Sequence, residues 1–173
     1  EVVSEAELCV RIGVEETGET FTDNARLKAT AVMQATGLPA VADDSGLCVD
    51  ALNGGPGVYS ARFGGEGLDD KGRYTLLLEM LRGQTDRAAH FHTSIVCAFP
   101  NGDELVCEGE CPGTIAFAPM GEGGFGYDPV FFVPELRKTF GQLTAEEKAS
   151  VSHRGKALRA FAVALDDYLK GNE

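Results

Sequence analysis

Apolar residues recur at helical spacing near both ends of this chain and in short strand-like runs between them. A packed domain satisfies that alternation by laying helices against a sheet. Phe21, Ala25, Ala29, Val32 and Ala35 form the first helical stripe, behind Thr20 and Thr22 as candidate N-caps. Gly37-Leu38-Pro39 ends it, so a helix is expected at about 22–36. Ala40-Val41-Ala42 reads as a strand that stops at a polar turn, Asp43-Asp44-Ser45-Gly46. A second short strand, Leu47 to Ala51, and the loop Asn53-Gly54-Gly55-Pro56-Gly57 come next. A helix is expected from Asp69 to Leu81. Residues 88–99 and 104–111 are β-rich and flank Pro100-Asn101-Gly102-Asp103, a hairpin signature. A loop at Gly121–Gly126 and a strand at Val130–Val133 follow, and Leu158, Phe161, Ala162, Leu165 and Leu169 make the last helical stripe. The expected class is α/β, a mixed sheet flanked by helices. No repeat, low-complexity tract or linker divides the chain, so residues 1–173 read as one domain.

The C-terminal stripe carries a local conflict. One continuous helix over residues 145–170, at about 100° per residue, would place Arg154 among the apolar positions. A break at Ser152, with its hydroxyl capping a fresh helix, removes the buried charge and puts His153 and Arg154 in that helix's first turn. There, free N–H groups and the positive end of the helix dipole favour an anionic or acceptor-rich ligand. The preceding piece opens with its own capping box, Thr144-x-x-Glu147, which gives Glu147 a structural role.

Charge narrows the range of partners. Fifteen Lys and Arg against 27 Asp and Glu leave a formal charge of −12, which provides no basic stripe for nucleic acid or an anionic membrane. No apolar run approaches the ~20 residues of a membrane-spanning helix. The N-terminal Glu-Val-Val-Ser-Glu-Ala-Glu has neither the basic region nor the small-residue cleavage site of a signal peptide. Five cysteines, an odd number without a C-x-x-C pair, suit reduced thiols and a cytoplasmic setting. Cys107 and Cys111 have no partner pair at zinc-binding spacing.

Four segments hold groups that could do chemistry. Asp43-Asp44-Ser45-Gly46 places two carboxylates at a strand end, where one or two can bind Mg²⁺ together with waters and phosphate oxygens. Strand alternation sends only one of the pair to a given face. A solvated turn in which Asp and Ser bond nearby backbone is the competing reading. Glu15-Glu16-Thr17-Gly18 is a second acidic cluster, which taken alone reads as surface. In Gly121-Glu122-Gly123-Gly124-Phe125-Gly126-Tyr127-Asp128-Pro129, four glycines around two aromatics allow close backbone approach while a ring is offered for stacking. Its spacing is not the G-x-G-x-x-G fingerprint of dinucleotide sites. Lys148, His153 and Arg154 supply the cations and donors.

Six segments together resemble the inosine triphosphate pyrophosphatase family. They are Glu15-Glu16-Thr17-Gly18; Asn24-Ala25 with Lys28-Ala29; Ala42 to Leu47; Gly55 to Arg62; Gly123 to Pro129; and Glu146-Glu147-Lys148 leading to Ser152-His153-Arg154-Gly155. The similarity runs over nearly the whole chain in family order. It implies hydrolysis of non-standard purine nucleoside triphosphates to monophosphate and pyrophosphate, with Mg²⁺ as cofactor, in a homodimer. The implied fold is an elongated mixed sheet flanked by helices, in two lobes around a nucleotide cleft. By motif position, Asp44 matches the metal-associated carboxylate and general base, and Glu15 a second metal carboxylate. Ser45 matches a substrate contact, and Phe125, Gly126, Tyr127 and Asp128 match the segment that stacks on and frames the base. Lys148, His153 and Arg154 match nucleotide contacts, whose donors would pair with a purine 6-oxygen and reject the 6-amine of adenine. Members normally open with a strand and a Thr-x-Asn-x-x-Lys segment, so the chain reads as N-terminally truncated. The alternatives are a Maf-like pyrophosphatase acting on other nucleotides, and an inactive nucleotide-binding fragment.

Overall fold

The computed structural model describes residues 2–10 and 12–171. Helix α1 runs Phe21–Thr36, with the Thr20 hydroxyl accepting from the Asp23 N–H and Gly37 closing it in the left-handed conformation. Strand β1 spans Ala40–Val49. A 3₁₀ segment, Gly57–Arg62, leads to α2, Asp70–Met80, which is capped by Asp69. Strands β2, Ala88–Ala98, and β3, Glu104–Ile115, form the expected hairpin. Strands β4, Phe131–Val133, and β5, Lys138–Thr139, complete a sheet of order β1-β2-β3-β4-β5, with every neighbouring pair antiparallel. Helix α3 covers Ala145–Val151 and α4 covers His153–Gly171. The α/β sheet flanked by helices is therefore as expected.

The break at Ser152 is present, and the Ser152 hydroxyl accepts from the Gly155 N–H at 3.1 Å. The Thr144–Glu147 capping box is also formed. Two expectations fail. Asp43-Asp44-Ser45-Gly46 is no turn: β1 continues through it, paired residue by residue with β2 from Ala40↔Ala98 to Val49↔Ala89. Ten consecutive pairings outweigh the turn preference of four polar residues. The apolar stripe of α4 is also rotated from the one expected. Ala157 and Phe161 are buried, with Leu165 and Tyr168 packed behind them, whereas Leu158 is 55% exposed and Leu169 is also exposed.

The sheet separates two helical layers. Even-numbered β1 residues and their partners face α1, whose Ala25 and Ala29 pack on Val96 and Ala98. Odd-numbered residues face α4, where Ile95 and Cys97 meet Ala157 and Phe161. The largest apolar cluster joins Leu47, Phe91, Phe131 and Phe140 to Leu77 of α2 and to Leu81 at its C-cap, and fixes the 116–130 loop against the sheet through Tyr127 and Val130. Gly109 on β3 lets α4 dock closely, because a Cβ there would meet the backbone of His153 and Ala157. Sheet and helix start are thereby locked together next to β1.

Candidate active site

The strand that replaces the expected turn gives the acidic pair its geometry. Asp43 and Asp44 point to opposite faces of the sheet's edge strand, so each joins a different cluster.

On the α1 face, Asp44 is buried. It accepts from Asn24 Nδ2 at 3.2 Å and from Lys28 Nζ at 3.2 Å. Asn24 and Lys28 lie four residues apart on α1, which stacks them on the surface turned toward β1. Lys28 Nζ also donates to Glu16 at 2.9 Å. Fully buried Asn24 accepts from the Gly18 N–H at 2.8 Å, which ties the Glu-Glu-Thr-Gly segment to the site. Arg62 brackets Glu16 from the other side at 3.5 Å. One ammonium thus serves two carboxylates. Facing both, Lys28 is held charged above the ordinary lysine range despite its burial. Asp44 lies deeper and shares that ammonium with Glu16, and its burial pushes its pKa up.

Glu15 does not join this cluster. It is exposed, and its side chain makes no hydrogen bond or ion pair among the described residues, whereas its neighbour Glu16 reaches Lys28. In an extended segment adjacent side chains diverge, and only Glu16 is aimed at α1.

On the α4 face, a pocket of about 240 Å³ opens beside Ser45 and Gly46. Its walls come from Ser60 and Ala61, from Asp70 and Arg73 of α2, from the 125–128 loop, and from Lys148, His153 and Arg154. The sequence-derived residues other than Glu15 and Asp44 meet here. Ser45 Oγ donates to Thr93 Oγ1 at 2.7 Å and lies 3.1 Å from Asp43 Oδ2. Asp43 in turn accepts from Arg154 Nε at 3.0 Å, so its work is to aim Arg154 at the pocket.

The glycine-rich loop is held from within. Asp128, only 2% exposed, accepts from the Phe125 N–H at 2.9 Å and from Lys148 Nζ at 2.5 Å. Gly124 adopts φ +78°, and a Cβ there would run into the Asp128 carboxylate. The Tyr127 hydroxyl donates to the Ser60 carbonyl at 2.8 Å, and the Gly126 N–H donates to Asp70 Oδ2 at 2.7 Å. Tyr127 and Asp128 thus hold the loop in place. The ring free to stack is Phe125, 62% exposed, with Lys148 Nζ 4.6 Å and Arg154 Cζ 5.6 Å from its centroid. His153 lies deeper, stacked on Phe91 with centroids 4.8 Å apart. Its Nδ1 is buried without a hydrogen-bond partner among the described residues. Burial, then the charges of Arg154 and Lys148, lower its pKa to about 3, so the imidazole is neutral at physiological pH.

Asn24, Lys28, Glu16, Asp43, Asp70 and Arg73 belong to these two clusters without having been assigned roles from sequence. Asn24 and Lys28 carried a readable signal in their four-residue spacing. Asp70 and Arg73 carried none, since nothing local links α2 to a loop more than 50 residues away.

Comparison with known proteins places the chain among its relatives. The chain is 54% identical over 164 residues to a dITP/XTP pyrophosphatase of Thermus thermophilus, covering 94% of this chain and 78% of the relative. It is 51% identical over 157 residues to a dITP/XTP pyrophosphatase of an Exiguobacterium species, covering 91% and 80%. The solved structure of the Staphylococcus aureus Ham1 protein superposes with a TM-score of 0.90 at 44% identity, covering 100% of this chain and 88% of that one. The family model described as Ham1 family matches residues 1–164, and the chain belongs to that family.

Proposed function

We propose that this protein hydrolyses non-standard purine nucleoside triphosphates, dITP, ITP and XTP, to the monophosphate and pyrophosphate. The observation that carries the reading is the placement of Asp44 and Ser45, adjacent on a sheet edge, in two complementary sites. One face offers a carboxylate–ammonium cluster suited to phosphates, and the other an aromatic, donor-lined pocket suited to a base. A nucleotide crossing the edge of β1 would engage both. The names of the relatives support the substrate class.

In this mechanism, water attacks the α-phosphorus and the β,γ unit leaves as pyrophosphate. Asp44 orients that water and takes its proton at a carboxylate oxygen, a task helped by the upward push of burial on its pKa. Lys28 neutralises charge spread over the phosphate oxygens. Lys148 and Arg154 hold the base against Phe125, and His153 with Arg154 turns donors toward a 6-oxygen, leaving adenine's 6-amine unpaired.

Asp44 and Glu16 also fit a divalent cation. Both present hard carboxylate oxygens, and the ammonium already lying between them marks a position where positive charge is favoured. Mg²⁺ is the proposed ion, with Glu16 rather than Glu15 as the second carboxylate. When bound, it would supply charge neutralisation and a more acidic water. A cytoplasmic setting and a homodimer complete the reading; the five free cysteines support the former, and the family resemblance the latter. Sedimentation measures the oligomeric state. The enzymatic test is pyrophosphate release with dITP, XTP, GTP and ATP, with and without Mg²⁺. Magnesium-dependent turnover of dITP and XTP well above ATP is expected, and equal turnover of all four would reject the assignment.

A further inference from the structure

Arg73 is a cation with unmet donors in the wall of the base pocket. It projects from the second turn of α2, and its side chain is 18% exposed. Its Nε is buried without a hydrogen-bond partner among the described residues. Among the described residues its guanidinium donates no hydrogen bond, and its one ionic neighbour, Asp70, lies 3.6 Å from Nη1. Asp70 itself is engaged, accepting from the Gly126 N–H. Desolvating a guanidinium without acceptors is unfavourable, and a ligand that brings an acceptor to it recovers that cost as affinity. The other cations of the pocket, Lys148 and Arg154, belong to α3 and α4 and lie against Phe125, whereas Arg73 approaches from the α2 side beside Ser60 and Tyr127.

We propose that Arg73 is a specificity-determining residue that reads the 2-position of the bound purine, donating to the 2-oxygen of xanthine. Two donor-bearing walls match a base with exocyclic oxygens at both C6 and C2. Hypoxanthine offers Arg73 only a C–H, and guanine turns an amine donor against a guanidinium that has donors alone. Xanthine also gives up its N3 proton near neutral pH, which spreads negative charge onto the edge that Arg73 faces. The preference of Lys148, His153 and Arg154 for a 6-oxygen admits guanine; Arg73 supplies the exclusion that they cannot.

This inference rests on the pocket's being the base site, and the test separates the two. Binding of XMP, IMP and GMP to the intact chain is measured by calorimetry, which needs no catalysis. Wild-type protein should bind XMP most tightly. Arg73→Leu should weaken XMP by about 10-fold or more, the loss expected for a charge-assisted hydrogen bond, while changing IMP by less than about 3-fold and leaving GMP equal or tighter. Arg73→Lys, which keeps the charge, should retain most of the XMP preference and guards against a folding defect in the leucine variant. Equal weakening of XMP and IMP, or an unchanged XMP affinity, overturns the inference alone. Wild-type protein that binds none of the three overturns the base-pocket reading and the inference with it.

Discussion

The titration of His153 offers a direct check on how closely the pocket beside Ser45 is packed. His153 is 7% exposed, its ring stacked on Phe91, and its pKa is lowered to about 3 by burial first and then by Arg154 and Lys148. In the unfolded chain the same histidine takes its proton near pH 6.5. Between those values the unfolded state binds more protons than the native state, so stability is complete above pH 6.5 and is lost as pH falls toward 3. Linkage over pH 7 to 5 gives a loss of about 2 kcal/mol from this one group. The measurement is urea unfolding at pH 7 and pH 5 for wild type and His153→Gln. Glutamine forfeits the ring stacking at both pH values but cannot titrate, so the difference of differences isolates His153 from all other groups. Wild type should lose about 2 kcal/mol more than the variant between the two pH values. Parallel losses would refute the burial argument, as would an imidazole that titrates by NMR near its ordinary value. The outcome bears on recognition, because a neutral ring offers one N–H and one lone pair to a base.

Asp44→Asn should lower turnover by ~10²–10⁴-fold, while at pH 7 the fold is as stable as wild type or more so, because burial raises the pKa of Asp44 and its ionised form is held at a cost. That advantage should vanish as pH falls through the native pKa of Asp44 and the wild-type carboxyl protonates; thermal melts at pH 4 and 7 with a pyrophosphate assay read both effects. Glu16→Gln should raise the Mg²⁺ concentration needed for half-maximal turnover, and Glu15→Gln should leave it unchanged; the reverse ranking would reject the assignment of Glu16. Asp128→Ala strands the Phe125 N–H and the partly buried Lys148 ammonium, so denaturant unfolding should show a loss of about 3 kcal/mol. Gly109→Val forces β3 and the start of α4 apart and should cost about 1–3 kcal/mol or more, measured the same way.

Chain-local chemistry was readable wherever a few neighbouring residues decide the outcome. The start and end of α1, the capping box at Thr144 and the split at Ser152 all depend on side chains bonding backbone within one turn, and each stands where its sequence pattern indicates. So does the hairpin between β2 and β3. Ser45, Phe125, Lys148, His153 and Arg154, singled out through the family resemblance, line one pocket. The face of α4 that packs is not set by the local pattern, because several sectors of that helix are apolar. Gly109, on a distant strand, selects the one carrying Ala157 and Phe161.

Sequence order was enough to establish an α/β chain with helices at both ends, its capped boundaries, and which segments carry carboxylates, cations and a glycine-rich loop, since propensity and capping act over a handful of bonds. Tertiary packing decided the rest. It drew Asp43-Asp44 into an edge strand through pairing with β2, and thereby sent the two carboxylates to opposite faces. It joined Glu16 rather than Glu15 to Asp44 by placing Lys28 within reach, and it brought Arg73 of α2 to the pocket beside Ser45. Those choices depend on contacts between residues far apart in the chain. Their energies are set by burial and shared charge, which no local pattern records.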